Sequence, residues 1–266
     1  MAVCSVDPQR RPEESATMTQ RKRNRTVTIA VVLVAALVAV LVGAEVYVRN
    51  RATACLAQSF ESELGTGVDV DLSWKPVLLQ LLDRQVPSVA LDSDDTAFGP
   101  AQQMQVHAEV NDVDLRDSAE GAGTIGSSSA DVSWPTSGIL ATVQSQSVGG
   151  LVTDVMADEN AGTLTFTVGG QGLAEFTARP VVNGGVVTVE TTDATILGIG
   201  LPTALVDGVV EILTSGLQQY PLGMQATEVN VTDSGIDLRL EGGRFVLPEA
   251  PQGQQQQQEG SCGLLS

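Results

Sequence analysis

The stretch from Thr26 to Ala44, TVTIAVVLVAALVAVLVGA, constrains this chain most, because nineteen residues pass without a charge, a proline or an amide side chain. Wound as a helix rising about 1.5 Å per residue, such a run spans ~28 Å, close to the hydrocarbon thickness of a bilayer. Arg21, Lys22, Arg23 and Arg25 stand directly before it. Basic clusters of this kind stay on the cytoplasmic side, so the chain from Glu45 onward is predicted to face out of the cell.

A cleaved signal peptide is the competing reading, with Val42-Gly43-Ala44 as its small-residue cleavage site. Signal cores run to roughly 7–15 residues. This one is longer, and Val46 and Val48 extend it weakly past Glu45. The expected organisation is a basic cytoplasmic tail (1–25), a single-pass membrane anchor (26–44), one extracytoplasmic domain (45–248) and a Gln-rich disordered tail (249–266). Met18 follows a polar stretch containing Pro8 and Pro12, which leaves Met1 and Met18 as alternative starts.

Charge narrows the function classes. The segment after Ala44 holds eight basic and 29 acidic residues, a net of −21. A surface so negative repels nucleic acid and also anionic head groups, so DNA and RNA are excluded as partners. Phe, Trp and Tyr number nine in the whole chain. Its core is therefore aliphatic, and it offers few platforms on which sugars or bases could stack.

Cys4 precedes the span, whereas Cys55 and Cys262 follow it into a compartment where disulfides persist. A Cys55–Cys262 bridge would close a very long loop, worth at most ~5 kcal/mol by chain entropy. Two unpaired thiols are the alternative.

Periodicity divides the domain. Val48, Ala52, Cys55, Leu56, Phe60 and Leu64 recur at steps of three and four, predicting a helix that stops at Gly65. The period then becomes two, in Val68–Leu72, Met104–Val110, Leu164–Val168 and Val187–Val189. Val229 and Val231, then Ile236, Leu238 and Leu240, flank a turn at Asp233-Ser234-Gly235. A bulge is expected near Asn111-Asp112, where the alternation slips by one residue. Two more helices are predicted, one drawn through Ile139, Leu140, Val143, Leu151, Val152 and Val155, the other over Leu205–Leu217. The fold class is thus α+β: a membrane helix, then one domain of long antiparallel strands wrapped around helices and enclosing an aliphatic interior.

Catalytic and metal motifs are poor. Gly121-Ala-Gly123-Thr-Ile-Gly126 matches G-x-G-x-x-G but lacks a buried strand before it and a helix after it, and reads as a flexible loop. His107 is the single histidine and falls on the polar side of a strand, so no histidine metal cluster forms. No G-x-S-x-G elbow occurs. Asp92-Ser93-Asp94-Asp95 and Asn111–Asp114 lack EF-hand spacing and read as charged loops. No cofactor is called for.

The informative segment is Trp74-Lys-Pro-Val-Leu-Leu-Gln-Leu-Leu-Asp83. Pro76 can open a short helix in which Val77, Leu78, Leu79, Leu81 and Leu82 make nearly every side apolar. Such a turn either packs as core or forms a hydrophobic lip, with Trp74 at an interface, that admits an acyl chain. Thr195–Leu201, bringing Ile196, Leu197, Ile199 and Leu201, could form the opposite wall.

From about Ala52 to Pro248 the chain resembles the actinobacterial LmeA-like phospholipid-binding family, envelope proteins with a TULIP-like domain. The likeness rests on an order of features. A basic leader, a membrane span and a helix precede Val68-Asp-Val-Asp-Leu72, the Pro76–Leu82 turn and Val86-Pro-Ser-Val-Ala-Leu91. Then come Gly162-Thr-Leu-Thr-Phe-Thr-Val168, Arg179-Pro-Val-Val-Asn-Gly184, Leu201-Pro202 and Tyr220-Pro-Leu-Gly-Met224. Where relatives often carry an aromatic Pro-Phe pair, this chain has Pro76-Val77, with Trp74 as the nearby aromatic. The resemblance implies binding of a phospholipid or other acyl lipid, no catalysis, and for some relatives a part in maturing envelope lipoglycans. Two other readings stay open: an interaction module that recruits an envelope enzyme, and a glycan-acting enzyme using paired carboxylates. Nothing in the sequence identifies a protein partner.

Overall fold

The computed structural model describes residues 16–64, 67–98, 101–116, 121–146, 149–170, 174–196, 203–218 and 220–248. Two compact units divide between Tyr47 and Val48. Helix α1 runs from Ala16 to Leu64, ending one residue before the expected stop. Its stretch Thr28–Gln58 is long and apolar enough to cross a membrane. Leu33 and Val40 there are 65% and 69% exposed, as suits a helix whose apolar surface faces lipid rather than a protein core.

After α1 the described chain is rich in antiparallel strands. The larger sheet takes in β1 (Asp69–Leu72), β2 (Gln85–Phe98), β3 (Ala101–Asp114), β5 (Ser127–Pro135), β11 (Gly235–Gly242) and β10 (Gln225–Thr232), paired in the order β1-β2-β3-β5-β11-β10. The short strands β4 (Gly123–Ile125) and β12 (Phe245–Leu247) pair with each other, and β4 also meets β3. The smaller sheet is a meander of β6 (Val152–Asp158), β7 (Thr163–Val168), β8 (Ala174–Asn183) and β9 (Val186–Ile196). Helices α2 (Val77–Asp83), α3 (Thr136–Ser145) and α4 (Thr203–Leu217) complete an open α+β architecture, with no closed barrel among the described strands.

One core joins the two sheets to α3 and α4. Phe166 and Phe176, cross-strand partners on β7 and β8, stack with ring centroids 4.9 Å apart. Trp134, 1% exposed, donates its indole N–H to the Gln102 carbonyl at 3.0 Å. The Gln102 N–H donates to the Thr142 hydroxyl at 2.8 Å, which holds β3 against α3 where Gln103 turns to a φ of 59°. Gly138 is required beside this contact, since a Cβ there would lie 2.6 Å from the Gln102 carbonyl oxygen. The sheets are also latched at the β9 edge. Gln218 donates to the Val187 carbonyl at 2.8 Å, the Val187 N–H donates to the Tyr220 hydroxyl at 3.0 Å, and the Ala226 N–H donates to Gly185 at 2.8 Å.

Several sequence expectations need correction. Val152 and Val155 belong to strand β6, not to a helix: α3 ends at Ser145, and pairing with β7 prevails over the helical spacing. Gly121–Gly126 is not a flexible loop. Its middle is β4, and a Cβ on Gly121 or Gly123 would sit 2.3 Å from the Leu247 oxygen or 2.5 Å from the Asp114 oxygen, so the glycines serve close strand approach. The two charged loops are strand as well: Asp92–Asp95 lies within β2 and Asn111–Asp114 closes β3, because both segments pair in the ladder between these strands. The turn at Asp233-Ser234 falls where the pattern placed it. Asp112 turns to a φ of 54°, but the β2–β3 register runs unshifted past it, and the irregularities lie instead between Ser93 and Phe98 on β2. The Gln-rich tail and Cys262 lie outside the described residues.

Candidate lipid-binding site

The turn after β1 is pinned at both ends. Pro76 precedes α2 with extended ψ and accepts from the Leu79 and Gln80 N–H groups at 3.0 and 3.1 Å. Arg84 then stops the helix in the left-handed region, φ 55°. Lys75 reaches across to Asp83 at 2.6 Å and to the Gln85 carbonyl at 3.2 Å. The Lys75 ammonium holds the Asp83 carboxyl below its usual range. Gln80, in the middle of the apolar run, is buried and donates to the Lys75 carbonyl at 2.7 Å and to the Ser73 hydroxyl at 3.3 Å. A buried amide that finds partners costs little, and here it fixes the roll of the helix.

That roll sorts the predicted lip residues. Val77 is buried at 6% exposure and Leu78 is half-buried, whereas Trp74 (88%), Leu79 (51%) and Leu82 (82%) stand in solvent. Leu81 belongs to α2, but its side chain lies outside the described set. The two readings of this turn therefore apply to different faces of it: one face packs and the other is bare. Of the proposed opposite wall, Ile196 ends β9 with its side chain outside the description, and Leu197, Ile199 and Leu201 lie outside the described residues.

Beside α2 the inner face of the larger sheet opens. Along β3 the inward residues Met104 and Val106 are buried, but Ala108 and Val110 only half-buried. On β2 their partners Leu91 and Val89 are half-buried in the same way. The row continues from Val110 to Ser128, whose buried hydroxyl has no hydrogen-bond partner among the described residues. Sequence reasoning passed over Val89 and Leu91 as site residues, although Val86-Pro-Ser-Val-Ala-Leu91 carried the signal of alternation. The outer face is polar, with His107 at 2.5 Å from its cross-strand partner Asp92, which raises the imidazole pKa. Among the described residues no group of histidine, cysteine, aspartate or glutamate could hold a metal ion.

An open α+β domain with an aliphatic, part-uncovered sheet face, following a helix fit to cross a membrane, has the makings of an apolar-ligand binding protein. The family model for LmeA-like phospholipid-binding proteins matches residues 39–241, and the chain belongs to that family. An uncharacterized protein of Mycobacterium bovis is 29% identical over 246 residues, covering 89% of this chain and 70% of the relative. Two uncharacterized proteins from strains of Mycobacterium tuberculosis match with the same identity and coverage. No solved structure matches.

Proposed function

We infer that this chain is a membrane-anchored, extracytoplasmic carrier or sensor of phospholipid, serving envelope lipid or lipoglycan maturation without catalysing a reaction. The observation that carries the reading is the loss of burial along β2 and β3 toward α2, which leaves aliphatic side chains half-covered in a member of a phospholipid-binding family. Acyl chains laid on Val89, Leu91, Ala108 and Val110 would bury methylenes at about 0.8 kcal/mol each. Val77 and Leu78 would flank them, and the segment around Ile196–Leu201 would close the far side. The TULIP-like wrap belongs to this reading, supported by fourteen-residue β2 and β3 and by α3 packing on strands of both sheets. So does a Cys55–Cys262 bridge, for which thiol labelling without reductant should modify Cys4 alone.

The test is organic extraction of the full chain, purified in mild detergent, followed by mass spectrometry. Phospholipid in near-equimolar amount is the expected result. Protein that carries none, and takes up none from mixed micelles, would leave the recruiting-module reading in its place.

A further inference from the structure

We propose that the α2 end of the domain docks on the surface of a phospholipid bilayer, the one that holds the chain's own apolar helix, with Trp74, Leu79 and Leu82 seated among the head groups. The proposal rests on the anchored reading above and adds a second, separate lipid contact. Three observations meet here. First, Trp74 and Leu82 are more than four-fifths exposed on a turn fixed by the Lys75–Asp83 pair and by Gln80, so their exposure is built in. An indole ringed by leucine suits the boundary between hydrocarbon and water.

Second, the tether is short. Arg49 donates from its guanidinium to the Leu72 carbonyl, two residues before Trp74. Arg49 lies only five residue steps beyond Ala44, the end of the uncharged run. Even fully extended, five residue steps reach at most ~18 Å, so the chain connection to Arg49, and the hydrogen bond from Arg49 to Leu72, keep this turn near the head-group layer.

Third, charge is distributed unevenly. Arg49, Lys75, Arg84 and Arg116 are four of the eight basic residues after Ala44, and contacts bring all four to this end. Arg49 binds Leu72, Lys75 binds Asp83, the Arg84 carbonyl accepts from the Leu115 N–H, and Arg116 pairs with Asp114. Lys75 and Arg116 offset Asp83 and Asp114, and Arg49 and Arg84 balance Asp71 and Asp112, so this end of a strongly acidic domain carries little net charge beside its bare apolar side chains. That combination fits an anionic lipid surface.

The chain's two tryptophans make the test direct, because Trp134 is buried and Trp74 is not. The full chain would be reconstituted into vesicles of phosphatidylcholine and phosphatidylglycerol whose acyl chains carry bromine either near the head group or near the methyl end. Docking predicts that head-group-proximal bromine quenches Trp74 emission more strongly than terminal bromine. Trp74→Phe should abolish the quenching. A Leu79→Asp/Leu82→Asp double variant, changed only at exposed positions, should lose at least threefold of it with an unaltered unfolding temperature. Stronger quenching by terminal bromine would assign Trp74 to a bound acyl tail and overturn the proposal. So would emission that ignores both lipids yet falls with aqueous acrylamide. Lipid recovered from detergent-purified protein is read independently, so docking can fail while lipid carriage stands, and the reverse.

Discussion

Trp134 and Trp74 stand toward opposite ends of the same sheet and live in opposite environments. Trp134 lies where β3 begins, 1% exposed under α3, with its N–H satisfied by Gln102. Trp74 lies where β2 begins, 88% exposed beside a helix of seven residues. Both follow a short polar approach, Ser133 in one case and Ser73 in the other. What differs is the company brought by the topology. At the Trp134 end α3, α4 and the smaller sheet converge, whereas at the Trp74 end α2 buries one face and the short β4–β12 pair meets the end of β3. The contrast teaches that this domain spends its helices on one half of the sheet. Among the described residues the inner face of the other half is only partly covered.

The largest effect should come from emptying the closed end. Trp134→Ala removes a fully buried indole and should cost roughly 3–5 kcal/mol in urea denaturation, whereas Trp74→Ala should stay within about 0.5 kcal/mol. Equal losses would break the comparison, because Trp74 would then be packed against something that stabilises the fold.

A second pair sharpens the division inside α2. Val77→Asp would bury an unpaired carboxylate and should destabilise by about 2 kcal/mol or more. Leu82→Asp, one turn on and exposed, should change the denaturation midpoint little. If the two variants unfold alike, the helix has no distinct inner and outer faces.

The two ends also differed in how far they could be read from sequence. Helix α4 and strands β3, β7, β10 and β11 were legible because one face of each meets the core and the apolar residues keep a strict period. β2 was harder. Pro87 and the Asp92–Asp95 run break its alternation, and the strand is held by ladder pairing with β3 along its length and with β1 on its other side. β6 was misread because the valine spacing prolongs the helical period past the end of α3 at Ser145, across a short 3-10 turn at Gly149–Leu151 that leads into the strand. The apolar turn at 77–82 was plain in the sequence, but which face it would bury was not. That depends on Gln80, whose partners Ser73 and Lys75 become neighbours only when the chain turns.

A smaller effect belongs to Ser128, at the end of the Val89–Val110 row. Its hydroxyl is buried without a partner among the described residues, so it carries the desolvation cost of a polar group and none of the return. Ser128→Ala should be neutral or stabilising by up to about 1 kcal/mol. A loss of that size would show that the hydroxyl has a partner in solution and that the open face is more polar than its lining indicates.

The smallest effect lies on the outer face of the same strands. Asp92 raises the His107 pKa, chiefly through their hydrogen bond and then through charge, with lesser help from Asp131 and Glu109. Because the folded protein holds this proton more tightly than the unfolded chain, the pair's contribution is fully present below about pH 6.5 and is lost as pH rises through the raised folded value. Both side chains are half exposed, at 56% and 51%, so screening limits the effect to a few tenths of a kcal/mol. Wild type and Asp92→Asn should therefore differ more in denaturation midpoint at pH 5.5 than at pH 8.5. If the gap is wider at high pH, the link has the opposite sign, and the polar face of β2 and β3 would be held by something other than this cross-strand pair.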